Sequence, residues 1–186
     1  NRFDSAFLPV HPSTSPAAMQ RIVQEIKQNI ATLNRMRRGG MQKNSLSARR
    51  TLQLESMANF SQCDECHPGQ VAFWQETGHA NAYRTLELRG QSYNLDCLPC
   101  HVTGGNVNHS STERDKLLLL SLPEYRKNIG CGSCHGLTDQ HMVSSENPPS
   151  YLSPGKELCT RCHTPERDSN FSFVTKLTFI ACPPGG

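Results

Sequence analysis

Four copies of one pentapeptide constrain this chain more than any other feature in it. They read Cys63-Asp64-Glu65-Cys66-His67, Cys97-Leu98-Pro99-Cys100-His101, Cys131-Gly132-Ser133-Cys134-His135 and Cys159-Thr160-Arg161-Cys162-His163. Each has the form C-x-x-C-H, the attachment signature of a c-type haem. Two thiols three positions apart can add to two vinyl groups on one edge of a porphyrin. The histidine that follows then sits under the ring and can ligate the iron. The four copies take up eight of the nine cysteines.

Other uses of paired cysteines explain the pattern less well. Zinc knuckles use Cys and His at similar spacing, but they do not need a histidine directly after every second cysteine. A thioredoxin-like site needs one C-x-x-C in a βαβ setting. A disulfide scaffold has no use for the histidine. The expected cofactors are therefore four haem c groups, bound covalently through Cys63, Cys66, Cys97, Cys100, Cys131, Cys134, Cys159 and Cys162, with His67, His101, His135 and His163 as proximal iron ligands.

The composition agrees with this. Across 186 residues, hydrophobic residues are 35% and aromatics 6%, thin for a self-sufficient core. Porphyrins would supply the missing apolar surface. The fold class expected is mainly α with extensive loops and little β, a multihaem c-type cytochrome whose polypeptide wraps a haem stack. Without haem such a chain should be largely unfolded. The formal charge of +3 omits the haem propionates, which would bring it toward neutral or acidic. No basic stripe runs beside stacking aromatics, which argues against nucleic acid as a partner. No apolar run nears the length of a membrane span; the longest is Leu117 to Leu120. The first residues do not resemble a signal peptide, as expected of a mature form.

The chain divides into an N-terminal arm with helices (1–60), a tetrahaem core (61–165) and a C-terminal tail (166–186). Prolines 9, 12 and 16 argue for an extended arm. Met19, Ile22, Val23, Ile26, Ile30 and Leu33 recur at helical spacing after Ser15 and Pro16, and Gly39-Gly40 should end that helix. Its stripe is expected to pack on its own domain; covering a haem or facing a partner chain are the alternatives. The Arg35, Arg37, Arg38 cluster suits a helix C-terminus. Further helices are expected from Ser45 to Asn59, from Gln70 to Glu87 with a break near Gly78, and from Thr112 to Leu122. The stretch Phe171 to Ile180 alternates enough to read as a short strand.

The histidine count bears on function. Eight histidines are present and four are proximal, leaving His11, His79, His109 and His141 for four distal positions. An iron with both axial positions filled passes electrons and has no open site for substrate. Methionine is the other common distal ligand, but Met19, Met36, Met41 and Met57 fall in the preceding segment, where packing is the better use; Met142 competes with His141.

Beyond the pentapeptides, Trp74-Gln75-Glu76-Thr77-Gly78-His79-Ala80-Asn81-Ala82, Asp96-Cys97 through Val102-x-Gly104, Gly130-Cys131 through Gly136 and Glu157-x-Cys159 resemble the cytochrome c554 family of tetrahaem cytochromes, over about residues 60–165. The W-x-x-T-x-H-A-x-A element is the most specific part outside the haem motifs. The resemblance implies a distal ligand role for His79 and supports His141, a few residues after the third motif. One haem of that family lacks a distal ligand, whereas this chain has histidines enough for four. His11 and His109 have no clear counterpart there. The chain is also similar to four-haem extracellular cytochromes that polymerise into conducting filaments, where a histidine of one subunit can ligate a haem of the next. His11, on its proline-rich arm, suits such a ligand.

The resulting expectation is electron transfer through bis-histidine haems, as an extracellular filament-forming subunit or as a soluble periplasmic shuttle, with redox proteins as partners. Covalent haem attachment in this class takes place outside the cytoplasmic membrane, so an extracellular, cell-surface or periplasmic location is implied. No enzymatic activity is expected; reduction of a small nitrogen compound would require one five-coordinate haem. Cys182, the odd cysteine, is open to an intermolecular disulfide, a reactive thiol or simple burial.

Overall fold

The computed structural model describes residues 16–41, 60–105, 113–136 and 154–184. His11, His109, His141, Met57, Met142 and the helix expected from Ser45 to Asn59 lie outside the described residues. Within them the chain is helical and loop-rich, and β structure is confined to isolated bridges from Val102 to Lys127 and Asn128. The expected mainly α class, with little β, holds.

The longest helix, α1 (Pro16–Met41), has proline at its first position, where its missing N–H costs nothing. It runs one residue past the expected glycine stop, because glycine weakens a helix without barring it. Its apolar stripe does not pack as expected. Ile26, Leu33 and Met36 are 52%, 57% and 69% exposed. The helix is held instead by residues flanking the stripe. Buried Asn34 donates to the Tyr93 carbonyl at 2.6 Å, and the Arg35 guanidinium lies 4.6 Å from the Tyr93 ring centre. Arg35 is thus used against an aromatic face rather than at the helix end.

Two short helices, α2 (Phe60–Asp64) and α3 (Pro68–Gln75), flank the first C-x-x-C-H motif. A 3₁₀ turn (Gly78–Asn81) and α4 (Ala82–Leu88) follow, with the break at Gly78 where the sequence places it. Next come α5 (Glu113–Leu118) and a 3₁₀ turn, Leu119–Ser121, before Pro123. Three of the four expected leucines, Leu118, Leu119 and Leu120, are buried. The core joins Leu119 and Leu120 to Leu86, Leu95, Leu98 and Val102, with Tyr83 and Tyr93 against it. Leu98, fully buried, sits inside the second motif. One side of that motif therefore belongs to the hydrophobic core.

The remaining helices are α6 (Cys131–His135), α7 (Lys156–Cys159) and α8 (Phe173–Leu177). The last corrects the expected strand. Ser172 caps the helix, its Oγ accepting from the Thr175 N–H. Phe173, Leu177 and Ile180, spaced four and three apart, all turn toward one cavity. The apolar period is helical; the apparent alternation came from reading Phe171 and Phe179 into the same series. Among the described residues no helix is long and apolar enough to cross a membrane.

Candidate haem-binding site

Each motif is a single helical turn. The second cysteine's N–H reaches the first cysteine's carbonyl at 3.2 Å in the first motif, 3.2 Å in the second and 3.1 Å in the fourth. The third motif is itself α6. In the first and fourth motifs the histidine N–H also returns to the first cysteine's carbonyl, at 2.7 and 2.9 Å. This turn brings residues three apart onto one side, which puts two thiols together with the histidine beside them.

The motifs adjoin one another. The Cys63 and Cys131 thiols are hydrogen-bonded, and that bond holds Cys63 down to about 7 while pushing Cys131 up. The Cys100 and Cys162 thiols are likewise hydrogen-bonded, and Cys100 is pushed well above the ordinary thiol range, first by that bond and then by burial. Burial, with Cys159 nearby, lifts Cys134 to about 11. Thioether sulfurs do not titrate. The first motif thus lies beside the third, and the second, third and fourth lie together.

A cavity of about 720 Å³ lies among the second, third and fourth motifs, within the ~300–1,000 Å³ typical of cofactor pockets. Cys100, His101, Cys134, Cys159, Cys162 and His163 line it, and so does His79 from the far side. Phe171, Phe173, Leu177 and Ile180 supply an apolar wall.

His79 is placed by the element that carries it. The Trp74 indole N–H donates to the Ile129 carbonyl at 2.8 Å, and the Thr77 hydroxyl folds back on the Trp74 carbonyl at 2.7 Å. The Ile129 N–H donates to the His79 carbonyl at 3.1 Å. The turn that presents His79 is thus tied to the residues that lead into the third motif. The same lead-in is tied to the second motif: the Thr103 hydroxyl donates to the Asn128 carbonyl at 2.9 Å and accepts from the Gly130 N–H at 2.8 Å. Asn128 takes a left-handed backbone (φ 76°), and its side chain accepts from the Tyr83 N–H at 2.8 Å.

Two motif histidines have one ring nitrogen engaged by an oxygen. His101 Nδ1 lies 2.7 Å from the Ala82 carbonyl. His163 Nδ1 lies 2.9 Å from Asp168 Oδ2. Metal-ligating histidines usually donate one ring N–H to a carbonyl or carboxylate, leaving the other nitrogen for the metal. The His79 and His163 ring centroids are 6.2 Å apart, with planes 52° apart. Two imidazoles on opposite sides of one metal ion, each bonded at about 2 Å, have a similar separation. Burial first, and the neighbouring His163 second, push His79 below the usual imidazole range, favouring the neutral form that a metal needs. Cysteine pairs on helical turns, imidazoles with one nitrogen anchored and an apolar cavity form a donor set that fits covalent haem.

Sequence reasoning missed Asp168 and Phe171. The Phe171 ring stacks on His163 with centroids 4.8 Å apart. Both follow the fourth motif closely, and an acidic residue a few positions after a C-x-x-C-H histidine was the available signal. Cys182 is exposed, not buried.

Comparison with known proteins follows the same residues. A family described as cytochrome c554 and c-prime matches residues 62–136. A curated relative, cytochrome c-554 of Nitrosomonas europaea, is 29% identical over 90 residues, which cover 40% of this chain and 35% of the relative. The match therefore spans about a third of that relative's length. No solved structure matches the chain significantly. Residues 62–136 thus carry the cytochrome c554 pattern, with Trp74, Thr77, His79, Ala80, Ala82 and three of the four C-x-x-C-H motifs inside the match.

Proposed function

We propose that this protein transfers electrons through four covalently attached c-type haems, with His79 as the distal partner of His163 on the fourth-motif iron. The approach of the His79 and His163 rings to 6.2 Å in the lining of one cavity carries the reading. When bound, each haem supplies reversible one-electron chemistry at iron. The chain's own work is to hold and enclose. Eight motif cysteines anchor the porphyrins. His67, His101, His135 and His163 are the proximal ligands, and the Ala82 carbonyl and Asp168 keep His101 and His163 in one orientation. The α8 wall and Phe171 keep water from one side of the cavity. His11, His109 and His141 are the remaining histidines available as distal ligands, and filling all four positions leaves no open iron for a substrate such as a nitrogen oxide. Redox proteins are the partners this chemistry requires, and the protein works outside the cytoplasmic membrane, where covalent haem attachment takes place.

The test is direct. Protein matured with haem should have an intact mass equal to the chain plus four haems, wholly low-spin spectra, and no carbon monoxide binding after reduction. Carbon monoxide binding by the native protein would favour the nitrogen-compound reductase instead.

The exposed stripe of α1 favours a second form of the same reading, in which residues 1–60 make subunit contacts in an extracellular filament and His11 reaches a neighbouring haem. Negative-stain microscopy separates the forms. Long regular fibres support the filament, and small discrete particles support the shuttle.

A further inference from the structure

Two of the motif histidines, His101 and His163, are held by different kinds of acceptor. His101 Nδ1 meets a neutral carbonyl, that of Ala82, with the Thr85 hydroxyl farther off at 3.4 Å. His163 Nδ1 meets a carboxylate, that of Asp168. The chain is built to deliver it. After the fourth motif the Arg167 and Asp168 N–H groups both return to the Thr164 carbonyl, at 2.9 and 2.8 Å, and this turn swings the Asp168 side chain back under the His163 ring. The Phe171 N–H then bonds to the Asp168 carbonyl at 3.1 Å, bringing the Phe171 ring onto the other side of the same imidazole. His163 is thus fixed by a carboxylate at its edge and an aromatic ring on its face, with His79 opposite.

We propose that Asp168 is a positioning residue that lowers the reduction potential of the iron held by His163, relative to the iron held by His101. The inference rests on the tetrahaem reading above. A hydrogen bond to a charged acceptor is roughly twice as strong as one to a neutral acceptor. It draws the Nδ1 proton away from the ring and makes Nε2 a stronger donor to the metal. A stronger donor stabilises ferric over ferrous iron, and ligand environment is one of the protein's main levers on haem potential. The two sites adjoin, since His101 and His163 line one cavity. The difference therefore sets a direction between neighbours. With haem bound at both, an electron would pass from the iron held by His163, ferrous to ferric, to the iron held by His101, ferric to ferrous, with no proton transferred.

The experiment is a potentiometric titration of the haem-loaded full chain, followed by electron paramagnetic resonance, comparing wild type, Asp168→Asn and Asp168→Glu. In Asp168→Asn one of the four midpoints should rise, with four haems by mass and all signals still low-spin. Asp168→Glu should return that midpoint toward the wild-type value. A titration of Asp168→Asn superimposable on wild type, with four low-spin haems, overturns the role of Asp168 and leaves the tetrahaem reading standing. Wild-type protein without haem on Cys159 and Cys162 overturns that reading itself. If Asp168→Asn does not mature, ¹⁵N-histidine-labelled wild type decides. In the fully reduced protein the His163 Nδ1 proton should resonate downfield of the His101 Nδ1 proton; a His163 signal at or upfield of that of His101 overturns the proposal.

Discussion

The His79 and His163 rings face each other with centroids 6.2 Å apart, although they belong to opposite ends of the motif region. His79 is carried by a turn fastened to the lead-in of the third motif. His163 is held from behind by Asp168. Both rings line a cavity walled by cysteines and apolar side chains.

His79→Ala should open one iron. The reduced variant is expected to bind one carbon monoxide per chain, and the oxidised variant to show one high-spin haem of four. An optical titration with carbon monoxide measures this; no binding would remove His79 from the ligand set. The chain should still mature, because Trp74 and Thr77, rather than the imidazole, fasten the turn.

Thr103→Val keeps the shape of a buried side chain and removes its hydroxyl. The Gly130 N–H and the Asn128 carbonyl both lose their partner. Leaving buried polar groups unsatisfied costs about 1–3 kcal/mol. Denaturant titration of the haem-loaded protein should show a lower midpoint with an unchanged slope.

Gly105→Ala is expected to damage the second motif. An added Cβ would stand 2.6 Å from the Pro99 carbonyl oxygen and 2.8 Å from Pro99 Cα, so backbone inside C-x-x-C-H must move. Overpacking of this kind costs about 1–3 kcal/mol. Peptide mapping should find less haem on Cys97 and Cys100 than in wild type, with the other motifs little changed.

Alkaline stability should depend on Tyr83. Burial raises its phenol above the usual range, with Lys127 opposing the shift; the Lys127 ammonium lies 4.8 Å from the ring centre. Above a pH of about 10 the unfolded chain loses this proton before the folded one. The folded state then binds more protons, and stability falls as pH rises. The fall begins at the ordinary phenol value and ends at the raised one. Tyr83→Phe should remove that part of it, as read from melting temperatures across pH 9 to 11; the same slope in both proteins would exclude Tyr83 as its source.

Much of this protein is determined by sequence alone, because it is local. A cysteine, a second cysteine three positions on and the next histidine form one helical turn at each of the four motifs here, so the motifs are legible without a fold. Pro16, the break at Gly78 and the stop before Pro123 are equally local: each limits backbone geometry or hydrogen bonding at its own position. The tail misled because its apolar residues fit two periods over a short run, and only packing of Phe173, Leu177 and Ile180 on the cavity selected the helical one. The tertiary structure alone decided that the second, third and fourth motifs share one cavity, that the His79 ring comes within 6.2 Å of the His163 ring, and that α1 leaves its apolar stripe exposed. These relationships join residues far apart in the chain. They follow from how the Leu98–Val102–Leu119 core and the Asn128 lead-in bring the segments together, and spacing within a single segment carries no information about that.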